Sequence, residues 1–322
     1  MDTLQRIVTH LVAEGPSSVE GMTRELGINE SELWENLEQI NSDFPFIVER
    51  NGLLVPQNVS SKLSEKAIIE GLDADVGDLS VRVVHVTGST NDDLLAMFRS
   101  GAQNYAQLLI AENQASGRGT CGRSWISFPG GTLTFSMSIN LESKNIITGL
   151  SALTLVVGLS VVKVLRKLQD SPYQIKWPND VLFEGKKLAG ILVETVPVGD
   201  GLGLVIGVGI NTRLPEVLRN SIDQPVTDLY ESGLDIDRNI LVAEIVLGFR
   251  SAIREFLSVG FEPFISDWIE VHAFHGQEVE FILPDHGNLR GIIRGVDLDG
   301  SLIVEESGVT KSYASGEIRF KP

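Results

Sequence analysis

The chain has 322 residues, a formal net charge of −17, 43% hydrophobic residues and a mean hydropathy of +0.11. That length exceeds one ordinary core and predicts two or three domains, and the composition is that of a folded protein rather than a disordered one. The negative charge argues against broad nucleic-acid binding and against an anionic membrane surface, so any phosphate site must be local.

Residues 1–9 are polar and carry no apolar run of the kind a cleavable signal peptide needs. Leu4, Ile7, Val8 and Leu11 keep helical spacing until Gly15-Pro16-Ser17-Ser18 breaks it. A helix over 19–26, the turn Gly27-Ile28-Asn29 and a helix through Leu33, Leu37 and Ile40 follow, with Asn29 as N-cap. Helix, short Gly-containing turn, helix is the helix-turn-helix outline, and Asn51-Gly52 predicts a hairpin over 46–55 that would be its wing. The charge does not suit DNA. Residues 1–65 hold Arg6, Arg24, Arg50 and Lys62 against eleven acids, and the helix in the recognition position carries Glu30, Glu32, Glu35 and Glu38. Phosphate contacts need cations, so a vestigial or protein-binding module is the competing reading.

An acidic connector over 61–80 contains Asp73, Asp75 and Asp78, and a strand is predicted over 81–86. Gly88-Ser89-Thr90-Asn91-Asp92-Asp93 then opens a helix: Ser or Thr caps it, acids fill its first turn, and Arg99 and Gly101 close it. The apolar run 108–111 leads to Gly117-Arg118-Gly119-Thr120-Cys121-Gly122-Arg123-Ser124-Trp125. Its glycines permit close backbone approach and its successive N–H groups can form an anion nest. Arg118 and Arg123 add planar charged forks suited to carboxylate or phosphate. Taken alone, the stretch fits a solvated Gly-rich loop equally well. Cys121, the one cysteine, rules out an internal disulfide and fits a reducing cytoplasm.

Residues 131–141 alternate as a strand through Leu133, Phe135, Met137 and Ile139. A helix is predicted over 147–168, and the nearly uncharged run 146–165 matches a membrane span in length. Its Thr148, Gly149, Ser151, Thr154, Gly158, Ser160 and Lys163 make it a buried core helix instead. Pro178 stops a strand over 173–177, so Asn179 and Asp180 are expected at an exposed corner that can address a ligand. Residues 181–183, the Glu184-Gly185 turn and 188–194 complete a hairpin carrying Lys187. Lys176, Asp180 and Lys187 beside a basic glycine loop describe a site for a carboxylate together with a nucleotide phosphate, although each lysine singly reads as a surface residue. Residues 203–210 form an apolar strand ending at Asn211, and Gly207-Val208-Gly209 lacks the third glycine and following helix of a dinucleotide loop. Amphipathic helices over 237–257 and 261–271 precede short alternating runs from Gln277 onward, the texture of a small β-barrel.

Taken together, the chain resembles the biotin protein ligases, in the larger bacterial form that carries an N-terminal winged helix. The resemblance rests on Ser89-Thr90-Asn91, Gln114, Gly117-Arg118-Gly119 with Gly122-Arg123 and Trp125, and Lys176-Trp177-Pro178-Asn179-Asp180. It continues through Lys187-Leu188-Ala189-Gly190-Ile191-Leu192-Val193-Glu194 and Gly207-Val208-Gly209-Ile210-Asn211, in family order. It implies an α+β protein: a winged helix-turn-helix over 1–65, a mixed sheet with helices like that of class II aminoacyl-tRNA synthetases over 80–272, and an SH3-like β-barrel over 274–322. It also implies activation of biotin by ATP, with Mg²⁺, to biotinyl-5′-AMP. Transfer to a lysine of the biotin carboxyl-carrier domain of acetyl-CoA carboxylase would follow, in the cytoplasm and with no membrane partner.

By the same resemblance Arg118, Lys187 and Asp180 are the catalytic set: the first two hold carboxylate and phosphoryl oxygens, and Asp180 orients the incoming lysine. Ser89, Thr90, Asn91 and Gln114 would bond the ureido ring, with Gly117, Arg118, Gly119, Thr120 and Lys187 completing the biotin site. Arg123, Lys176, Asn179 and Asn211 would face ATP, and no side chain need act as a covalent nucleophile. Bifunctional members repress biotin genes by dimerising on an operator, so a homodimer and operator DNA are implied partners, against the acidic helix above. The apolar strand over 203–210 is implied as an exposed edge for self-pairing or carrier docking. Thr120 stands where the family usually has a further arginine, so a weaker hold on the adenylate is expected; a charge-assisted contact is worth about 1.5–3 kcal/mol. A lipoate or octanoate ligase on the same fold, and a ligand-sensing repressor without turnover, are the alternatives. The polar set suits a ureido ring better than an alkyl tail, and intact ligase motifs favour turnover.

Overall fold

The computed structural model describes residues 3–42, 46–57, 61–72, 77, 79–101, 106–142, 149–283 and 287–319. Asp73, Asp75 and Asp78 of the expected connector, and residues 146–148 at the head of the expected long helix, lie outside them.

Three helices, α1 (Thr3–Glu14), α2 (Val19–Leu26) and α3 (Glu30–Ile40), pack around Ile7, Leu11, Met22, Leu33 and Leu37. The local signals act as expected. Ser18 accepts the N–H of Gly21 to cap α2, Gly27 ends it at φ 66°, and Asn29 accepts the N–H of Glu32 to start α3. Strands β1 (Ser17–Ser18), β2 (Ile47–Arg50) and β3 (Leu53–Pro56) form a sheet of order β1-β3-β2, and Asn51 and Gly52 turn the hairpin at φ 53° and 79°. Phe128 and Leu218, from far along the chain, complete this core, and the Phe46 and Phe128 rings meet edge-on at 5.7 Å. Where only an acidic connector was expected, α4 (Glu65–Gly71) forms, because Ser64 caps it and Ile68 is fully buried.

The central sheet has seven strands in the order β4-β5-β6-β10-β9-β8-β7. They are β4 (Ser80–Thr87), β5 (Gln107–Gln114), β6 (Thr132–Leu141), β7 (Tyr173–Lys176), β8 (Asp180–Phe183), β9 (Lys186–Val198) and β10 (Gly201–Asn211). The β4–β5 pair is parallel and the other pairs are antiparallel, so the sheet is mixed. Helix α5 (Thr90–Arg99) covers one face. Helix α6 (Leu153–Leu168) packs with α8 (Arg238–Val259) over the other, with α9 (Ile265–Val271) beside α6. Short α7 (Glu216–Arg219) lies between β10 and α8 and touches α3. Helix α6 begins at Leu153, after a 3₁₀ turn over Leu150–Ala152, and is buried along most of its length as a core helix should be. Among the described residues no helix is long and apolar enough to cross a membrane.

The structure overturns the expectation of a free edge at residues 203–210. Strand β10 is interior: β6 pairs along one side and β9 along the other, each through ten register positions, so it offers no free edge for self-pairing or for a docking partner. Its near-continuous apolar run is the pattern of a strand buried on both faces.

Beyond α9, β11 (Glu278–Leu283), β12 (Gly287–Val296), β13 (Leu302–Glu306), β14 (Val309–Tyr313) and β15 (Glu317–Arg319) form an antiparallel sheet of order β14-β13-β12-β11-β15. Its Phe281, Ile293, Leu302 and Val304 join the same core as the central sheet, and the Trp177 indole donates to the carbonyl of Gly300 at 3.0 Å.

One buried ion pair ties these parts together. Arg238 at the start of α8 and Glu112 on β5 are both buried. Arg238 Nη1 and Nη2 donate to the two Glu112 oxygens at 2.8 and 3.0 Å. The remaining donors reach the carbonyls of Ser61 and Thr132, so all five guanidinium N–H groups are used. Glu112 also accepts the N–H of Leu63 at 3.0 Å. Residues 61–63, which leave the N-terminal helices, are thereby fixed to the sheet two residues from Gln114. Removing one partner of such a pair strands the other charge, whereas replacing both with apolar groups does not. Arg238→Met should therefore cost about 3–5 kcal/mol of unfolding free energy in urea melts, and adding Glu112→Leu should restore a large part of it. A single variant as stable as the parent protein would contradict this.

Candidate active site

The site forms where α5 starts against the sheet. Ser89 accepts the N–H of Asp92 as N-cap, which sets Thr90 and Asn91 facing the strands, where both are buried. On β6 the residues alternate: Leu133, Phe135 and Met137 enter the apolar core, while Thr132, Thr134, Ser136 and Ser138 are also buried, on the opposite face. Strand β10 lets α5 and the Gly-rich loop come close. A Cβ at Gly207 would lie 2.2 Å from Asn91 Oδ1, and one at Gly209 would lie 2.3 Å from the Trp125 ring. These glycines serve close packing within a strand, not a phosphate loop.

A hydrogen-bonded chain runs through this floor. Gln114 Oε1 accepts the N–H of Thr90 at 2.8 Å. Thr90 Oγ1 lies 2.6 Å from Ser136 Oγ, and Ser136 donates to Asn91 Oδ1 at 2.6 Å. Thr90 Oγ1 is also 3.1 Å from Gln114 Oε1. Two hydroxyl protons serve these three contacts, and they are best used if Thr90 donates to Ser136 and Ser136 to Asn91. Asn91 Nδ2 then donates to Glu194 Oε2 at 2.8 Å.

The Gly-rich stretch is a tight hairpin. Gly119 N–H bonds Arg123 O, Trp125 N–H bonds Gly117 O and Arg123 N–H bonds Thr120 O, with Cys121 and Gly122 at φ 56° and 72°. Three of the amides expected for an anion nest are thus spent inside the loop, which leaves its charge to the side chains. Arg118 meets two carboxylates: Nε and Nη2 donate to Asp92 at 3.1 and 2.6 Å, and Nη1 and Nη2 donate to Glu194 at 3.0 and 2.7 Å. The guanidinium is held above its ordinary value, first by Glu194 and, against burial, by Asp92. Burial pushes the Glu194 carboxyl up, but the bonds from Arg118 and Asn91 outweigh it and keep the group below the usual carboxylate range.

The second cluster sits across the cavity. Lys187 Nζ pairs with Asp180 at 2.8 Å and lies 5.9 Å from the centre of the Trp125 ring. Asn179 donates to the Ile191 carbonyl at 3.0 Å and reaches Thr120 Oγ1 at 3.4 Å. The exposed corner expected here is in fact buried, with Asn179 and Asp180 each 8% accessible, because β8 turns straight back into the sheet beside β9. Burial pushes the Lys176 ammonium below the usual lysine range, with Asp180 opposing. Arg123 pairs with Glu317 of β15 at 3.2 Å.

Ser89, Thr90, Asn91, Gln114, Arg118, Gly119, Thr120, Arg123, Asn179 and Lys187 line one cavity, with Trp125 also on its wall. Gly117 lines a second cavity on the outer side of the loop, and Asn211 a third toward β15, with Arg123 and Lys187. Asp180, paired with Lys187, and Lys176, whose charge interacts with Asp180, are not among the residues on the wall of the first cavity. Sequence reasoning gave no role to Ser136, Asp92 or Glu194. The row Thr132, Thr134, Ser136, Ser138, hydroxyls at period two in a strand otherwise apolar, was the available signal for Ser136.

Residues 83–211 match the Biotin/lipoate A/B protein ligase family and residues 274–321 match the Biotin protein ligase C terminal domain. The chain is 37% identical to the Bifunctional ligase/repressor BirA of Escherichia coli over 86% of this chain and 83% of that one. It is 32% identical to a Biotin--[acetyl-CoA-carboxylase] ligase of Mycobacterium tuberculosis over 80% of this chain and 95% of that one. Its structure is similar to that of the biotin protein ligase from Aquifex aeolicus in complex with biotin and ATP, with a TM-score of 0.62 and 30% identity over 74% of this chain and 97% of that one. A chain that carries the paired motifs in this order, on this mixed sheet with an antiparallel sheet behind it, belongs to the biotin protein ligase family.

Proposed function

We propose that this chain condenses biotin with ATP to biotinyl-5′-AMP and pyrophosphate, then passes the biotinyl group to a lysine of the biotin carboxyl-carrier domain of an acetyl-CoA carboxylase. The observation that carries the reading is the buried polar chain from Gln114 to Asn91, which ends beside the cations of the Gly-rich loop. A ureido ring has donors and acceptors to match that floor. The alkyl tail of lipoate or octanoate brings no hydrogen-bonding atoms to that floor, so it gains nothing from the polar groups gathered there.

In the first step the biotin carboxylate attacks the α-phosphate and pyrophosphate leaves. Two anions approach, so preorganised cations stabilise the charge that builds up. Arg118 and Lys187 take the carboxylate and phosphoryl oxygens. Arg123, Lys176, Asn179 and Asn211 face the nucleotide, and Ser89, Thr90, Asn91 and Gln114 hold the ureido ring, with Gly117, Gly119 and Thr120 closing over the ligand. Among the described residues no three His, Cys, Asp or Glu gather to hold a metal. A Mg²⁺ carried on the nucleotide phosphates would need few protein ligands. In the second step a carrier lysine amine attacks the adenylate carbonyl and AMP leaves. Asp180 addresses that amine once its pair with Lys187 opens, and until then it keeps Lys187 beside the cavity.

The wider architecture is read in the same terms. Residues 1–65 form a winged helix-turn-helix, 80–272 a catalytic domain like that of class II aminoacyl-tRNA synthetases, and 274–322 an SH3-like barrel, working in the cytoplasm. The exposed side of α3 carries Glu30, Glu35 and Glu38 around Trp34, a surface that repels phosphates. Operator binding, and the homodimer that goes with it, is accordingly the weaker half of the reading. A gel shift with the chain's own upstream DNA, biotin and ATP should give no nanomolar complex at moderate salt; a tight, biotin-dependent complex would reverse this.

Turnover is tested by incubating the protein with ATP, a carrier domain and either biotin, lipoate or octanoate, and weighing the carrier by mass spectrometry. One biotinyl addition, at the carrier lysine and from biotin alone, is expected; no addition, or preferential octanoyl addition, would refute the assignment. In a filter or stopped-flow assay of adenylate release, Thr120→Arg adds a cation to the cradle and should slow escape of biotinyl-5′-AMP about tenfold, as about 1.5 kcal/mol of charge-assisted bonding implies. An unchanged rate would remove Thr120 from the account.

A further inference from the structure

Glu194 occupies an unusual position in this site. Its Oε2 accepts from both Asn91 Nδ2, at 2.8 Å, and Arg118 Nη2, at 2.7 Å, while Oε1 accepts from Arg118 Nη1 at 3.0 Å. One carboxylate therefore bridges the polar floor and the loop cation. Asp92 grips the same guanidinium from the other side. Four of the five N–H groups of Arg118 are spent on these two acids, so a ligand carboxylate cannot take a bidentate grip until one of them lets go. The two acids are not equivalent. The Asp92 side chain is 53% accessible, whereas that of Glu194 is 25% accessible and is also tied to Asn91. Water replaces the protein contacts of the exposed acid at little cost, and it cannot do so for the enclosed one.

We propose that Glu194 is a positioning residue for the adenylation step, fixing the Asn91 amide and the Arg118 guanidinium together, and that Asp92 is the stand-in anion which the biotin carboxylate displaces. The proposal rests on the biotin reading of this site. Because Oε1 meets Arg118 alone and Oε2 meets both Arg118 and Asn91, Glu194→Gln sets its NH₂ group against Arg118 whichever way the amide turns, and against Asn91 as well when that group takes the Oε2 position. In that second orientation Asn91 Oδ1 is no longer held toward Ser136. Asp92→Asn removes one negative charge from Arg118 and leaves the Glu194 bridge in place.

Calorimetric titration of the full-length protein with biotin and with its neutral alcohol analogue, biotinol, separates the two roles. Glu194→Gln should weaken both ligands by about tenfold or more, since the floor contact is common to them. Asp92→Asn should tighten biotin by about threefold or more and leave biotinol within about twofold, since only the carboxylate competes for Arg118. Melting temperatures check that each variant is folded, and Asp92→Asn stands as an independent test should Glu194→Gln unfold. Wild-type affinity for both ligands in folded Glu194→Gln would overturn the proposal, as would an Asp92→Asn effect that is equal for biotin and biotinol. Failure of the parent protein to bind biotin would instead overturn the functional reading on which it rests.

Discussion

Arg118 is a permanently charged group on a glycine hairpin, and a chain with a net charge of −17 surrounds it with acids. Most of the site follows from how that charge is met. Asp92 arrives from the first turn of α5, where an acid already suits the helix dipole, and Glu194 arrives from β9 with a second bond to Asn91. The same economy holds for the neighbouring cations. Lys187 rests on Asp180, and Arg123 on Glu317. The cations of the proposed anion site are therefore paired beforehand, and on the proposed reading an anionic ligand exchanges one carboxylate for another rather than entering a bare positive field.

The scaffold makes that exchange local. Gly207 and Gly209 lie in an interior strand paired on both sides, so Asn91 and Trp125 press against backbone held within the sheet. The buried Arg238–Glu112 pair fixes β5 just before Gln114 and anchors the segment that leaves the N-terminal helices. The floor beneath the hairpin that carries Arg118 and Trp125 is strand and buried helix terminus.

Much of this was legible in the residues. Asn29 as a cap, Asn51-Gly52 as a hairpin turn and the polar first turn after Ser89 are signals whose physics is local, and each forms as read. The family resemblance likewise rests on contiguous motifs, and most of its implied site residues come together at one cavity. What sequence could not supply was pairing across distance. The interior place of β10 depends on where β6 and β9 lie, the burial of Asp180 depends on β9 folding back beside it, and Arg238 lies 126 residues from Glu112. Glu194 stood in plain view at the end of a motif, but its meaning comes only from touching Asn91 and Arg118 at once.

The central claim is that Arg118 turns from a protein carboxylate to the substrate while its other anchor holds. A crystal structure of the protein with biotin and a non-hydrolysable ATP analogue tests it directly. The account predicts the guanidinium bonded to the bound anion, the Asp92 contact broken and the Glu194 bridge to Asn91 intact. Arg118 still clasped by both acids, with biotin and nucleotide bound out of its reach, would contradict it.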